Sequence, residues 1–226
     1  MKELMLIYSK MLEMYGCQGW WPILGYNGVN PTKTGSVKGY HPNDYSFPKN
    51  DHERFEICAG AILAQNTNWV NVEKSLNNLK SEELLSAEKI INSYSKIKEL
   101  IRPSGYFNIK AGYLVNFSKF YLSLNGRIPE RKELLAVKGV GKETADSILL
   151  YAYKQPFFVV DSYTKRIFNN LGVINSLDYE TIRGFFEANL PKSYELFAEF
   201  HALIVEHAKN YYLKKPYGAN DFLSNC

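Results

Sequence analysis

Two glycines one residue apart, a lysine on either side, and an aspartate twenty residues past the second glycine form the part of this chain best suited to chemistry. They stand as Lys138-Gly139-Val140-Gly141-Lys142 and Val159-Val160-Asp161. A Gly-x-Gly hairpin lets backbone N–H groups approach a partner with no Cβ in the way. The helix expected after it opens with free N–H groups and the positive end of its dipole, which favour an anion, and a phosphate above all. Asp161 stands where a further helix should begin, so helix N–H groups can hold its carboxylate in place. An aspartate before a helix is ordinarily no more than its cap. A phosphate grip upstream turns it into a candidate catalyst acting on a nucleic acid.

These residues must be positioned by helices. Apolar spacing is helical from Asp51 onward, with Phe55 to Leu63 on one helix and Trp69, Val70, Val72, Leu76 and Leu79 on the next. Further helical runs are predicted near 94–101, 108–124, 130–137, 142–153, 162–171, 178–188 and 191–213, and one from Met1 to Gly16. Residues 25–49 read as a long loop, dense in Gly, Asn and Pro. Strand alternation is nearly absent, and Phe157-Phe158-Val159-Val160 is the one strand-like run. The expected fold class is all-α.

The 226 residues suffice for one large domain or two small ones, and 46% hydrophobic content fits a globular chain. A net charge of +4 is too mild to identify a nucleic-acid binder by itself. Cys17, Cys58 and Cys226 are scattered, which gives no disulfide framework and suggests a reducing compartment. No apolar run approaches the roughly 18 residues of a membrane span. His41, His52, His201 and His207 show no metal-ligand spacing, and His201 and His207 read as structural or surface residues. No metal is expected.

The stretch Ala136-Val137-Lys138-Gly139-Val140-Gly141, with Val160-Asp161 behind it, resembles the helix-hairpin-helix DNA glycosylases of the endonuclease III superfamily. The segments Gly60-Ala61-Ile62-Leu63-Ala64-Gln65-Asn66-Thr67 and Ile101-Arg102-Pro103-Ser104-Gly105-Tyr106-Phe107-Asn108-Ile109-Lys110-Ala111 match in order, so the resemblance runs from about Phe55 to the C-terminus. It implies two helical domains with an interdomain cleft. Residues 50–156 would form the central domain carrying the hairpin, and 1–49 plus 157–226 the second domain, with Asp161 at the cleft. The implied reaction is hydrolysis of an N-glycosidic bond in double-stranded DNA containing a damaged base. Asp161 would stabilise the positive charge that builds on the sugar and would orient or deprotonate a water. Gln65 would fill the hole left by the extruded nucleotide. The hairpin residues Lys138, Gly139, Val140, Gly141 and Lys142 would contact phosphate, and Lys110 and Arg102 are further candidates. The hairpin's backbone carbonyls would be the place for a monovalent cation.

Two departures refine this. Family members that also cut the backbone carry a lysine two residues after the second hairpin glycine, as Schiff-base chemistry requires an amine. Here that residue is Glu143, and Lys142 is one position early, so an enzyme without AP lyase activity is expected. Relatives with a [4Fe–4S] cluster need four thiolates near the C-terminus. This chain has only Cys226 there, so neither an iron–sulfur cluster nor any other cofactor is expected. Trp20, Trp21 and Trp69, with Glu143, would line the base pocket, because a flipped base is held between flat surfaces. The segments around them are similar to those of the 3-methyladenine DNA glycosylases, whose cationic substrate suits an indole face. Alternatives are a mismatch thymine or uracil glycosylase, an oxidised-base glycosylase, and a non-catalytic DNA-binding helix-hairpin-helix protein. A monomer in the cytoplasm, nucleoid-associated if prokaryotic, is expected.

Overall fold

A computed structural model describes residues 2–225 and contains helices joined by loops, with no strand among them. The strand-like run 157–160 forms no strand; its Phe158 and Val160 N–H groups donate to the Glu187 carboxylate and the Tyr179 hydroxyl instead. The helices are α1 (Lys2–Tyr15), α2 (Asp51–Leu63), α3 (Trp69–Ser81), α4 (Ala87–Asn92), α5 (Tyr94–Leu100), α6 (Phe107–Ser123), α7 (Arg131–Ala136), α8 (Lys142–Ser147), α9 (Ser162–Asn170), α10 (Tyr179–Asn189) and α11 (Tyr194–Tyr211). The predicted run 142–153 is divided, because α8 passes at Ile148 into a wider π-turn, Ile148–Ala152, whose residues are all buried. Short α4 had no sequence signal strong enough to be predicted. No helix among the described residues is long and apolar enough to cross a membrane.

The helices form two groups. In the first, α2 is buried from Phe55 to Leu63 beneath α3, α6, α8 and the π-turn. In the second, α11 packs against α1 and α9, and a cluster of Phe158, Phe168, Phe186, Phe197 and Phe200 fills the space between them and α10. Asn50, Asn68, Asp161, Asp178 and Ser193 each cap a helix by accepting a backbone N–H, so polar residues at the predicted starts set where each helix begins.

Residues 16–50 lack helix but are tightly ordered. Gly39 N–H donates to the Gly28 carbonyl, Ile23 N–H to Gly39 and His41 N–H to Gly19. Gly19 has φ +67°, and a Cβ there would lie 2.3 Å from the Pro42 nitrogen. Two buried carboxylates clamp this loop to the helices: Glu199 of α11 accepts the Gln18 N–H at 2.6 Å, and Glu56 of α2 accepts the Leu24 N–H at 2.6 Å.

Lys110 corrects its sequence reading as a phosphate contact. It is only 2% exposed, and its ammonium donates to the Leu63 carbonyl at 2.7 Å and the Ser104 carbonyl at 2.6 Å. Its aliphatic stem spans the core while the amine satisfies carbonyls at two helix ends. Arg102 is exposed and pairs with Glu99 on the surface.

A buried ionic joint connects the hairpin to the second group. Asp146 on α8, with a fully buried side chain, accepts two hydrogen bonds from Arg131, at 2.6 and 3.0 Å. It takes a third from the Tyr179 hydroxyl at 2.8 Å. That hydroxyl in turn accepts the Val160 N–H at 3.4 Å. Arg131 also bonds Glu180, which is held by Arg183. Removing one partner of a buried pair leaves the others uncompensated. Asp146→Asn is expected to lower unfolding free energy by about 3–5 kcal/mol in urea titrations; a loss under about 1 kcal/mol would show that the joint carries little.

Candidate active site at the hairpin and Asp161

The hairpin forms between α7 and α8 as predicted. Val140 N–H donates to the Val137 carbonyl at 3.0 Å. The two glycines have different jobs. Gly139 has φ +102°, and a Cβ there would meet the Tyr113 ring at 2.2 Å, so this glycine is required by the fold. Gly141 caps α8 in an extended conformation, and a Cβ there would meet nothing within 4 Å, so its backbone faces open space. Lys138 and Lys142 are both exposed, and the Lys142 ammonium lies 3.4 Å from Glu180. Two hairpin carbonyls accept side-chain amides: Lys138 from Asn116 at 3.3 Å and Gly139 from Gln65 at 2.9 Å. The Gln65 amide also donates to Thr144 at 3.1 Å. Gln65 thus ties the loop after α2 to the hairpin, and inserting it into a duplex requires breaking both bonds.

Lys110 ties the loop before α6 to that same corner, because Leu63 precedes the Gln65 loop. On it stands Tyr106, 66% exposed, with φ +47°. An exposed tyrosine in left-handed backbone is unusual. Sequence reading did not single it out, since nothing in its spacing shows that its ring faces solvent.

Asp161 is nearly buried between the two helix groups. Its Oδ1 accepts both the Thr164 N–H at 2.7 Å and the Thr164 hydroxyl at 2.8 Å. Oδ2 is left over, 3.8 Å from Nε2 of His201. The cap reading and the chemical reading therefore hold together, one on each oxygen. Glu143, in the first turn of α8, is exposed as a residue. Burial and the facing Asp161 charge push its carboxyl up to about 7, against a partly opposing Lys165.

The three tryptophans come together from two segments. Residues 20 and 21 lie in loop, joined by a cis peptide bond, and Trp69 opens α3. Trp20, Trp21 and Trp69 form one cluster with ring centroids 5.2 to 5.5 Å apart. Trp21 is buried, Trp20 and Trp69 half-buried, and Tyr40 packs beside Trp20. The Trp21 carbonyl is fixed by His41 at 2.9 Å. Trp21 also lies edge-on to Tyr151, with centroids 5.2 Å apart. The Tyr151 hydroxyl is 2.7 Å from His201 Nδ1. A continuous line thus runs from the indoles through Tyr151 and His201 to Asp161.

His201 is the residue sequence reasoning misplaced. It is buried rather than on the surface, and its Nε2 lies 3.8 Å from the Asp161 carboxylate. His207 is buried, with Nε2 3.1 Å from Asp221 and Nδ1 3.0 Å from the Tyr15 hydroxyl. That network ties the C-terminal segment to α1 and α11, where the resemblance would put a metal cluster. Cys58 is buried in α2 and Cys17 lies in the loop after α1; Cys226 is outside the described residues. Among the described residues no three His, Cys, Asp or Glu side chains are grouped to hold a metal.

Residues 59–192 match the family described as HhH-GPD superfamily base excision DNA repair protein. The chain is 46% identical over 222 residues, covering 92% of this chain and 88% of the other, to MJ1434 of Methanocaldococcus jannaschii, provisionally named a DNA repair glycosylase. It is similar to the crystal structure of a Helicobacter pylori 3-methyladenine DNA glycosylase bound to 1,N6-ethenoadenine, with TM-score 0.63 and 35% identity over 69% of this chain and 85% of that one. An endonuclease III–DNA complex shares the fold, with TM-score 0.72 at 18% identity over 95% of this chain and 88% of that one. The chain belongs to the HhH-GPD superfamily of base excision repair proteins and is one of its DNA glycosylases.

Proposed function

We propose that this glycosylase is monofunctional and removes alkylated purines, 3-methyladenine among them, from double-stranded DNA, acting as a monomer without an iron–sulfur cluster or other cofactor. The observation that carries the reading is Glu143, a carboxyl group at the start of α8 where backbone cleavage would need an amine, with Asp161 close enough to oppose its charge. The resemblance to a 3-methyladenine glycosylase and the cluster of three indoles support the substrate class. An N3-alkylated adenine is cationic, so an indole face attracts it, by roughly 0.5–2 kcal/mol. The two domains divide at about residues 50 and 156, and the base enters between them.

In the reaction the C1′–N bond breaks and its electron pair leaves with the base, which departs neutral when it was cationic. Positive charge develops on the sugar beside Oδ2 of Asp161. A water oxygen bonds C1′, and its proton passes to that carboxylate. Phosphates flanking the lesion rest on the hairpin around Gly141, with Lys138 and Lys142 nearby, and Tyr106 can stack against a base on the same side. A monovalent cation would have to share the hairpin carbonyls with Asn116 and Gln65.

A release assay over methylated, deaminated, oxidised and mismatched bases tests the reading. Wild type is expected to release 3-methyladenine, with Asp161→Asn slower by about a hundred-fold or more. Preferential release of uracil, thymine or an oxidised base would move the specificity. Duplex binding with no release by either protein would leave a non-catalytic DNA-binding protein. Borohydride treatment during turnover is expected to trap no covalent protein–DNA adduct; a trapped adduct would show that another amine supplies lyase chemistry.

Glu143 adds a pH prediction. A folded carboxyl raised to about 7 keeps a proton that the unfolded chain has lost. Its contribution to stability is complete below about 4.5 and disappears as pH rises through 7. Thermal melts should show wild type losing stability relative to Glu143→Gln between those pH values. Parallel curves would mean an ordinary carboxyl.

A further inference from the structure

His201 Nε2 is a buried polar atom with no hydrogen-bond partner, and it points at the one Asp161 oxygen that Thr164 leaves free, 3.8 Å away. An orphaned buried donor is costly and therefore rare away from functional sites. We propose that His201 is the positioning residue for Asp161, its Nε2–H directed at Oδ2 so that the carboxylate keeps one orientation toward the sugar. This rests on the glycosylase reading and extends it to a residue on another helix.

The tautomer follows from the partners. The Tyr151 hydroxyl has one proton and two acceptors within reach, Nδ1 of His201 at 2.7 Å and the Ala198 carbonyl at 3.2 Å. When it donates to Nδ1, the closer of the two, the ring proton sits on Nε2 and meets the carboxylate. The opposite tautomer would set a nitrogen lone pair against a negative oxygen. The charged and titratable groups around this line are Asp161, Tyr151, Glu143 across the site, and Glu199 one residue pair earlier on α11. Burial drives the imidazole below its ordinary value, against the pull of Asp161, so the ring is neutral at neutral pH. A neutral ring donates one N–H without taking the proton that Asp161 must accept.

An approach of about 1 Å brings Nε2 and Oδ2 to normal hydrogen-bond length, about 2.9 Å. With Oδ1 fixed by Thr164 and Oδ2 fixed by His201, the carboxylate cannot rotate as the sugar becomes cationic. Pre-set geometry of this kind is how a single carboxylate is made effective.

The test uses His201→Leu and His201→Gln in the full chain. The Gln amide offers an N–H at the reach of Nε2, whereas Leu fills the space without a donor. His201→Leu should slow single-turnover base release by roughly ten- to a hundred-fold with unchanged duplex affinity, and His201→Gln should recover most of it. A packing role would be served by Leu at least as well as by Gln, so equal rates in the two variants overturn the proposal. Ring 15N NMR supplies a readout that needs no turnover. Wild-type His201 should be the neutral Nε2–H tautomer, and Tyr151→Phe should remove that preference. A wild-type ring protonated on Nδ1, or a charged ring at pH 7, also overturns it. If wild type releases no base from any lesion, the glycosylase reading fails while the ring spectra still decide the tautomer.

Discussion

The buried carboxylate of Asp146 is the constraint on which the site depends. It belongs to the helix that follows the phosphate hairpin, yet its partners reach it from three directions. Arg131 comes from the helix before the hairpin, and Tyr179 and Arg183 come from the second helix group. Through Tyr179 the joint grips the Val160 N–H, one residue before Asp161. The distance between the hairpin and the Asp161 carboxylate is thereby set by hydrogen bonds rather than by apolar packing alone. Apolar side chains would bury more cheaply, since ion pairs lose much of their attraction to desolvation. They would not fix direction. A glycosylase must hold the phosphate and the anomeric carbon in register, and bidentate guanidinium geometry supplies that.

The same device recurs around the indoles. Residues 17–24 have no helix or strand to satisfy their backbone, so Glu199, Glu56 and His41 do it from outside. Burial pushes the Glu56 carboxyl up to about 7, against its bond to Leu24, so the clamp is made by groups that resist ionisation. Glu199 lies on α11 two residues before His201, and so one helix carries both the anchor of the aromatic segment and the imidazole aimed at Asp161. The indoles and the carboxylate share one rigid reference.

Much of this was legible in the sequence because it is local. Helix periods, caps and the Gly-x-Gly hairpin follow from residues a few positions apart, and Asp161 was found from its distance to that hairpin. What escaped is non-local. His201 was set aside because no ligand lay at helical spacing from it, whereas its partners, Asp161 and Tyr151, come from other elements. Lys110 read as a surface cation because sequence shows its charge and not the two carbonyls that receive it. Trp20 and Trp21 lie in loop, where the cluster they form with Trp69 has no periodicity in the sequence to announce it. The π-turn after α8 was invisible, yet Tyr151 belongs to it.

The departure at Glu143 has consequences beyond the loss of an amine. The Asp161 charge opposes that of Glu143, and two like charges are not both comfortably held. Their surroundings differ: Oδ1 of Asp161 receives an N–H and a hydroxyl from the first turn of α9, while Glu143 has no hydrogen bond of that kind to hold a charge. Desolvation and the Asp161 charge raise the Glu143 carboxyl to about 7. Separated protonation of a carboxyl pair is a general way to assign roles within one site. In the proposed reaction, a protonated Glu143 would lessen the negative charge beside the base and could offer an O–H to a base heteroatom. A lysine at residue 143 would have placed a second positive charge beside a cationic purine. On the proposed reading, the acid that stands where lyase chemistry would need an amine also suits the site to a positively charged base.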